Sequence, residues 1–491
     1  MRFHRFFLVA IPFASSALLF QCVGDAPVVT PPVEAGTDTG KPVDSGSDVA
    51  IVPDGSSDAK TDAPPPCIIP DSGAPGSLDQ AFATAVNTFG NAFKPIDITI
   101  DSKGQVYIAG GANNCAGGGT GIDFAVVRLT PGGAVDTAFN PANKPVCVQF
   151  DQIDQAYAVR IDPDGNIVLA GIAGAPNKFF AGVARLTPAG VLDGTFGTGG
   201  KVDVLGADAG VPAATGTGFV VAFDIAFDAT TKKIWLVGGD DQGGGAGPTK
   251  GYIARLNTNG GVDIGFAGGV LADPSVDAFF AAADDGAGGV YAAGQTSTTP
   301  RRMIVKHFDV TGKSDPSFGN DGGTTIPTAD ASTGDRARSM LRLADGRLVV
   351  AGSSYGTASG PYGATGPVAV ARLKANGAPD PAFGGGALVA SPKLAFNPFF
   401  MTHVLGQLCD GTVLVAGRLD VVVGTNQDLA LVKLDPTGAP QLPFGTAGVA
   451  SLSLAGNQSP IGAAQDPASG KVVVVGATQT SGEVVAARFN P

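Results

Sequence analysis

The stretch "GSSYG" (352–356) spells G-x-S-x-G, a pattern in which a serine attacks a carbonyl carbon while a histidine and an acid relay its proton. Ser354, Asp380 and His403 follow one another in the order Ser, Asp, His. That chemistry needs a sharp strand-to-helix turn to expose the serine, and "TASGPYGATG" (357–366) cannot supply the helix. "DPDGN" (162–166) offers oxygen ligands at calcium-like spacing but lacks the rest of a binding loop. "GKS" (312–314) lacks the first glycine of a phosphate loop. The three histidines, His4, His307 and His403, are too few and too scattered for a histidine metal site, and neither C-x-x-C nor H-x-x-x-H occurs. No catalytic residue, metal centre or cofactor is therefore assigned.

The elements that would have to position such groups are repeats. "VVRLTPGGAVDTAFN" (126–140), "VARLTPAGVLDGTFGTGG" (183–200), "IARLNTNGGVDIGFAGG" (253–269) and "VARLKANGAPDPAFGGG" (370–386) are one phrase. A Gly is followed by Asp three residues on and by Phe three after that. The glycines are Gly76, Gly133, Gly190, Gly260, Gly312, Gly377 and Gly438. The acids are Asp79, Asp136, Asp193, Asp263, Asp315 and Asp380, with Gln441 as the exception. The rings are Phe82, Phe139, Phe196, Phe266, Phe318, Phe383 and Phe444. Eight residues before each acid position from the second copy onward stands Arg128, Arg185, Arg255, His307, Arg372 or Lys433, and Arg488 closes the series.

A second phrase alternates with the first: a strand, an Asp/Gly turn, and an apolar strand ending in Gly, as in "IDPDGNIVLAG" (161–171). Its glycines are Gly110, Gly171, Gly238, Gly294, Gly352, Gly417 and Gly476, a period near sixty. Seven copies fill 77–489. Many short apolar strands between Gly-rich turns, with 73 glycines in 491 residues, specify an all-β protein. A sixty-residue unit holding about four strands specifies a seven-bladed β-propeller, because one unit cannot bury both faces alone. In this reading "VARL" is the outer strand of its blade, "GVLDGTFG" the crossing, and "KVDVL" the start of the next inner strand. The phase of the copies brings 73–82 against the last strand, so the ring closes where the two ends meet.

Within the phrase, Gly permits positive φ, the Asp carboxylate accepts N–H bonds of its own turn, and Phe plugs the gap between blades. The basic residue pairs with the turn acid as an exposed ion pair, worth about 0–1 kcal/mol. These residues are architecture.

The phrase "ARLTPAGVLDGTFGTGG" and the hairpin "DPDGNIVLAG" resemble the delta-sixty repeat family of β-propeller repeats from exported bacterial proteins. The resemblance covers 77–489 and implies a propeller and an exported setting. It implies no activity. The hairpin is also similar to those of NHL-type and lactonase-like propellers, whose channels hold a metal with acids and amides. The inner strands here show no matching set of acids.

The N-terminus reads as a leader over 1–21. "MRFHR" is positive, and "FFLVAIPFASSALLF" is apolar but short for a membrane span. Leu19 stands three residues before Cys22 as in a lipoprotein box, although Gln21 replaces the usual small residue. Lipidation of Cys22 is the expectation, with simple secretion as the alternative. Residues 22–75 form an acidic Pro/Ser/Asp-rich linker, carrying −7 of the net −12 and no aromatic ring, and are expected to be disordered. The propeller takes 76–491. Cys67, Cys115, Cys147 and Cys409 allow three disulfide pairings, Cys115 with Cys147 being nearest in sequence, or remain thiols.

The segments that vary between copies lie after each "AG" strand and before each second strand, on one face of a propeller. Tyr355, Tyr362, Phe396, Phe399 and Phe400 are its candidate binding aromatics. The expected function is non-catalytic binding or scaffolding at a bacterial envelope by a monomer. Its partner would be a protein or glycan, with membrane contact only through the lipid. The alternatives are an extracellular hydrolase or lyase and a structural surface-layer module. A mildly acidic body argues against nucleic acid.

Overall fold

The computed structural model describes residues 73–491 apart from 83–84, 90–91, 114, 116–120, 176–177, 205–218, 242–249, 328–333, 356–366, 396–402, 409, 423–425, 447, 453–457 and 479–482. The leader, the linker, Cys22, Cys67, Cys409, Tyr362, Phe396, Phe399 and Phe400 lie outside the described residues, and of Tyr355 only the backbone is described.

After β1 (Ala85–Thr88), blade one consists of β2 (Lys94–Ile100), β3 (Val106–Asn113), β4 (Ile122–Leu129) and β5 (Val146–Val148). Blade two is β6 (Gln155–Ile161), β7 (Ile167–Ala175), β8 (Lys178–Leu186) and β9 (Lys201–Asp203). Blade three is β10 (Phe219–Phe227), β11 (Ile234–Asp241), β12 (Lys250–Leu256) and β13 (Val270–Asp273). Blade four is β14 (Val276–Asp284), β15 (Val290–Thr296), β16 (Met303–Phe308) and β17 (Gly323–Thr325). Blade five is β18 (Gly334–Arg342), β19 (Leu348–Tyr355), β20 (Pro367–Leu373) and β21 (Val389–Ala395). Blade six is β22 (His403–Gln407), β23 (Val413–Val422), β24 (Asn426–Leu434) and β25 (Val449–Leu452). Blade seven is β26 (Gln458–Gln465), β27 (Val472–Thr478) and β28 (Glu483–Phe489), and its fourth strand is β1.

Seven four-stranded antiparallel sheets thus make a β-propeller, and β1 closes the ring by pairing Ala85 with Ala486 and Thr88 with Glu483. The first strands β2, β6, β10, β14, β18, β22 and β26 neighbour one another round the axis. Second strands are covered on both sides, as β7 shows by burying all but its last residue. Apolar clusters fill the seams between blades, for example Phe139, Val126 and Val159 between blades one and two.

Two expectations are corrected. "VARL" ends the third strand, not the outermost, and "KVD" returns beside it as the fourth. "GVLDGTFG" is therefore a turn within the blade, and the crossing follows β9. The second glycine of each repeat does not end its strand either. It sits mid-strand, opposite a bulge in strand one: the register of β6 on β7 slips between Ala156 and Ala158, beside Gly171. A Cβ on Gly171 would strike the carbonyl oxygen of Gln155, and Gly110, Gly238, Gly294 and Gly352 are in the same position. Only glycine fits under the bulge.

Candidate functional site

The turn phrase builds a cluster at the outer end of each third strand. Asp136 Oδ1 accepts the N–H of Ala138 at 3.0 Å, closing its own turn. Its Oδ2 takes Arg128 through Nε and Nη2, both at 2.8 Å. The same pair forms at Arg185–Asp193 (2.8 Å), Arg255–Asp263 (2.6 Å) and Arg372–Asp380 (2.6 Å). The guanidinium also lies over the repeat phenylalanine: 4.4 Å to Phe139, 4.6 Å to Phe196, 5.4 Å to Phe266 and 4.9 Å to Phe383.

These pairs are not the exposed ion pairs expected from the sequence. The Arg255 and Arg372 side chains are 4% and 3% exposed, because the ring and the neighbouring blade cover them. Arg128 Nη1 reaches into the next blade to Pro188 O at 2.8 Å, and Arg185 Nη1 reaches Thr258 O at 2.6 Å. Gly190, at φ +81°, lets that next turn pack on Phe139, 2.9 Å from where a Cβ would stand. Each cluster therefore locks one blade to the next. Where the acid is lost, Lys433 turns to Asp410 at 3.7 Å.

The motifs weighed for catalysis are not assembled. Ser354 lies within β19, opposite Asp335, with no turn to expose it. Asp380 is bound by Arg372, and His403 belongs to another blade. Asp162 of "DPDGN" accepts the N–H groups of Asp164 and Asn166 at 3.0 and 2.8 Å, an ordinary Asx turn. Among the described residues no three His, Cys, Asp or Glu side chains gather as a metal site. Cys115 and Cys147 are joined by a disulfide, Cα to Cα 5.8 Å.

The candidate site is the central channel, where a cavity of ≈ 240 Å³ opens among the first strands. In four blades the residue at the strand-one bulge lines this cavity: Tyr157, Phe223, Phe280 and Arg338, in blades two to five. Tyr157 and Phe223 are 5.8 Å apart, Phe223 and Phe280 4.9 Å, and the Arg338 guanidinium lies 4.2 Å from the Phe280 centroid.

Two acids on the inner strands escaped the sequence reading. Asp97 and Asp224 both follow the bulge residue, and Arg160 lies between them at 2.6 and 2.5 Å. Asp97 Oδ2 also accepts Val159 N–H at 2.9 Å, and Asp224 Oδ2 accepts Ala282 N–H at 3.0 Å. Burial works against the charge of Arg160, and the two carboxylates outweigh it. The same burial lifts the Asp224 carboxyl above the usual range. A guanidinium does not lose its proton in a protein, so Arg160 donates to both carboxyl groups as a cation. The triad stitches blades one, two, three and four together.

Five segments of the chain, 104–139, 162–196, 232–266, 343–383 and 410–440, match the family described as "Domain of unknown function (DUF5122) beta-propeller". The chain is thus built of β-propeller repeats. A comparison with curated proteins returns no match. Among solved structures it is similar to the acylaminoacyl peptidase of Pyrococcus horikoshii (TM-score 0.43, 10% identity, 84% of this chain and 54% of that one). It is also similar to the β-propeller domain of the Trilobed protease from Pyrococcus furiosus (0.41, 12%, 83% and 96%) and to the polysaccharide lyase Uly1 (0.40, 11%, 84% and 90%). The chain spans about half the length of the peptidase, and at these values the likeness goes no further than the fold.

Proposed function

We propose that this chain is an exported, envelope-tethered propeller of the delta-sixty repeat type, which binds a protein or glycan at the cell surface and does not transform it. The observation that carries this reading is the state of the channel acids. A general acid or base must exchange a proton with substrate. Asp97 and Asp224 are each closed by Arg160 and by a strand N–H. "MRFHR", the apolar run and Leu19 before Cys22 support export, with Cys22 as the acyl site and 22–75 as the tether. A rigid ring on such a tether is suited to presenting a surface, and it acts as a monomer.

The test is expression of the full chain with a clickable palmitate. Label on the wild type, and its loss with release of the protein in Cys22→Ser, is the expected result. An unlabelled, freely released wild type would remove the anchor. Binding is read in the same cells by co-sedimentation with isolated envelope polymer, and failure to co-sediment would count against the module.

A further inference from the structure

Strands one and three of each antiparallel blade run the same way, so the turns between strands three and four share one face of the ring with the strand-one hairpins. Among the described residues four large apolar side chains stand well out in water: Ile264 (79% exposed), Leu442 (68%), Val191 (63%) and Val310 (48%). All four belong to those turns, in blades three, six, two and four. Exposed prolines such as Pro188, Pro316 and Pro443 stand among them. The exposed charges of the face are matched. Lys232 pairs with Asp164 at 2.6 Å, and lysines such as Lys313 and Lys374 are countered by Asp321 and Asp410. No excess of lysine is thus offered to anionic headgroups.

The chain enters the ring at the tip of the seventh of these turns. Gly76 N–H donates to Asn490 O at 2.8 Å and Asn490 N–H to Ser77 O at 2.9 Å, so 75–77 complete the turn that Asn490 begins. Pro75 O accepts the N–H of Gly445, in the turn that carries Leu442, at 3.2 Å. The proposed tether from Cys22 therefore joins the ring on the face where the apolar side chains are exposed. A tether as long as 23–72 spans on the order of 40 Å and holds that face at high effective concentration beside the surface that anchors it. The turn amides are already bonded, as Gly265 N–H is to Asp263 Oδ1 at 3.1 Å, so Ile264 can leave water without carrying a bare amide.

We propose that this turn face lies against a zwitterionic phospholipid surface, with Ile264, Leu442, Val191 and Val310 entering the headgroup layer. The inference rests on the envelope-tethered reading above and extends membrane contact beyond the lipid. It turns the opposite face, with the variable segments, outward to a partner.

The experiment uses the full chain, as wild type and as Cys22→Ser, with vesicles of phosphatidylcholine and phosphatidylethanolamine. Flotation reads binding, and hydrogen exchange locates it. Cys22→Ser should bind weakly and reversibly, and adding Ile264→Ser with Leu442→Ser should lower its partition about fivefold or more at unchanged melting temperature. Exchange in 257–269 and 435–446 should slow severalfold on vesicles and stay unchanged in 297–302 of the opposite face. If the double variant does not fold, Val191→Ser with Val310→Ser replaces it. Partition indifferent to the substitutions overturns the proposal, as does slowing confined to 297–302. So does binding to phosphatidylglycerol vesicles alone, which would assign the contact to the lysines. A dimer on sizing that the double variant loses, without vesicle binding, would give the face to a second copy and also overturn it. Palmitate label on the wild type with no slowing in the turns removes the face and keeps the anchor. An unlabelled wild type whose vesicle binding depends on Ile264 and Leu442 removes the anchor and keeps the face.

Discussion

Arg488 Nε stands 2.7 Å from Asp79 Oδ2 and joins residues 409 positions apart in the geometry that Arg185 and Asp193 make over eight. The last guanidinium also covers Phe82 at 5.0 Å and reaches Pro131 O of blade one at 2.9 Å. The ring is therefore closed by the same cluster that joins its other blades, split between the two ends of the fold, with β1 as the strand beside it.

Asp79→Asn should lower the unfolding free energy by about 1–3 kcal/mol, the range for a hydrogen bond to a charged partner that is largely buried. Burial opposes the Asp79 charge, but Lys471, the Ala81 N–H and Arg488 outweigh it and lower its pKa. The contribution is thus full above the ordinary carboxylate range and fades as pH falls below it. Hydrogen exchange locates the effect: β1 amides should lose protection in Asp79→Asn and keep it in Asp193→Asn.

Asp284 carries a cost. Burial raises its pKa to about 6, and Asp228 and Asp285 add to the rise. A carboxyl raised in the folded state stabilises the fold where it is protonated, and that advantage is lost as pH climbs from about 4 to 6. Asp284→Asn should therefore raise stability by about 1–2 kcal/mol at pH 7.5 and leave it nearly unchanged at pH 4. Urea unfolding at the two pH values checks the sign.

His307 behaves in a related way in a separate window. Its Nδ1 is 2.8 Å from Asp315 and its Nε2 2.9 Å from Asp285, while Tyr291 stacks on the ring at 4.3 Å. Burial disfavours the imidazolium, and the two carboxylates overcome this and raise its pKa. The stabilisation is complete below the ordinary histidine value and is lost as pH rises through the raised one. As pH rises past the ordinary histidine value the wild type should lose stability that His307→Arg retains, read by urea unfolding across that range. Equal losses in both proteins would show that the contacts are energetically empty.

Phe196 should outweigh its polar neighbours. It is fully buried at the blade seam, so Phe196→Ala is expected to cost about 3–5 kcal/mol. Asp193→Asn, which keeps an acceptor for the turn, should cost about 1–3 kcal/mol. A reversed order in denaturant melts would show that the Arg–Asp pairs, and not the rings, hold the blades.

The repeat phrase made the ring, the blade number and the plug role of Phe139, Phe196, Phe266 and Phe383 legible, since each depends on residues close in sequence. The guanidinium bridge was not legible, because its far partner is a main-chain oxygen, such as Pro188 O, which leaves no mark in the sequence. Asp97 and Asp224 were missed because channel lining is set by a bulge, and a bulge exists only in the register of two paired strands. A signal was present: both acids lie thirteen or fourteen residues before the strand-two glycines Gly110 and Gly238. The strand assignment of "VARL" erred because three residues, "KVD", are too few to read as a strand by periodicity.

The propeller binds its partner without transforming it. This is tested by incubating the purified chain with envelope polysaccharide, peptide and lactone substrates and analysing the supernatant by mass spectrometry, beside Asp97→Asn and Asp224→Asn. No product is expected from any of the three proteins. Product released by the wild type and lost in Asp224→Asn would make the carboxylate a catalyst and contradict it.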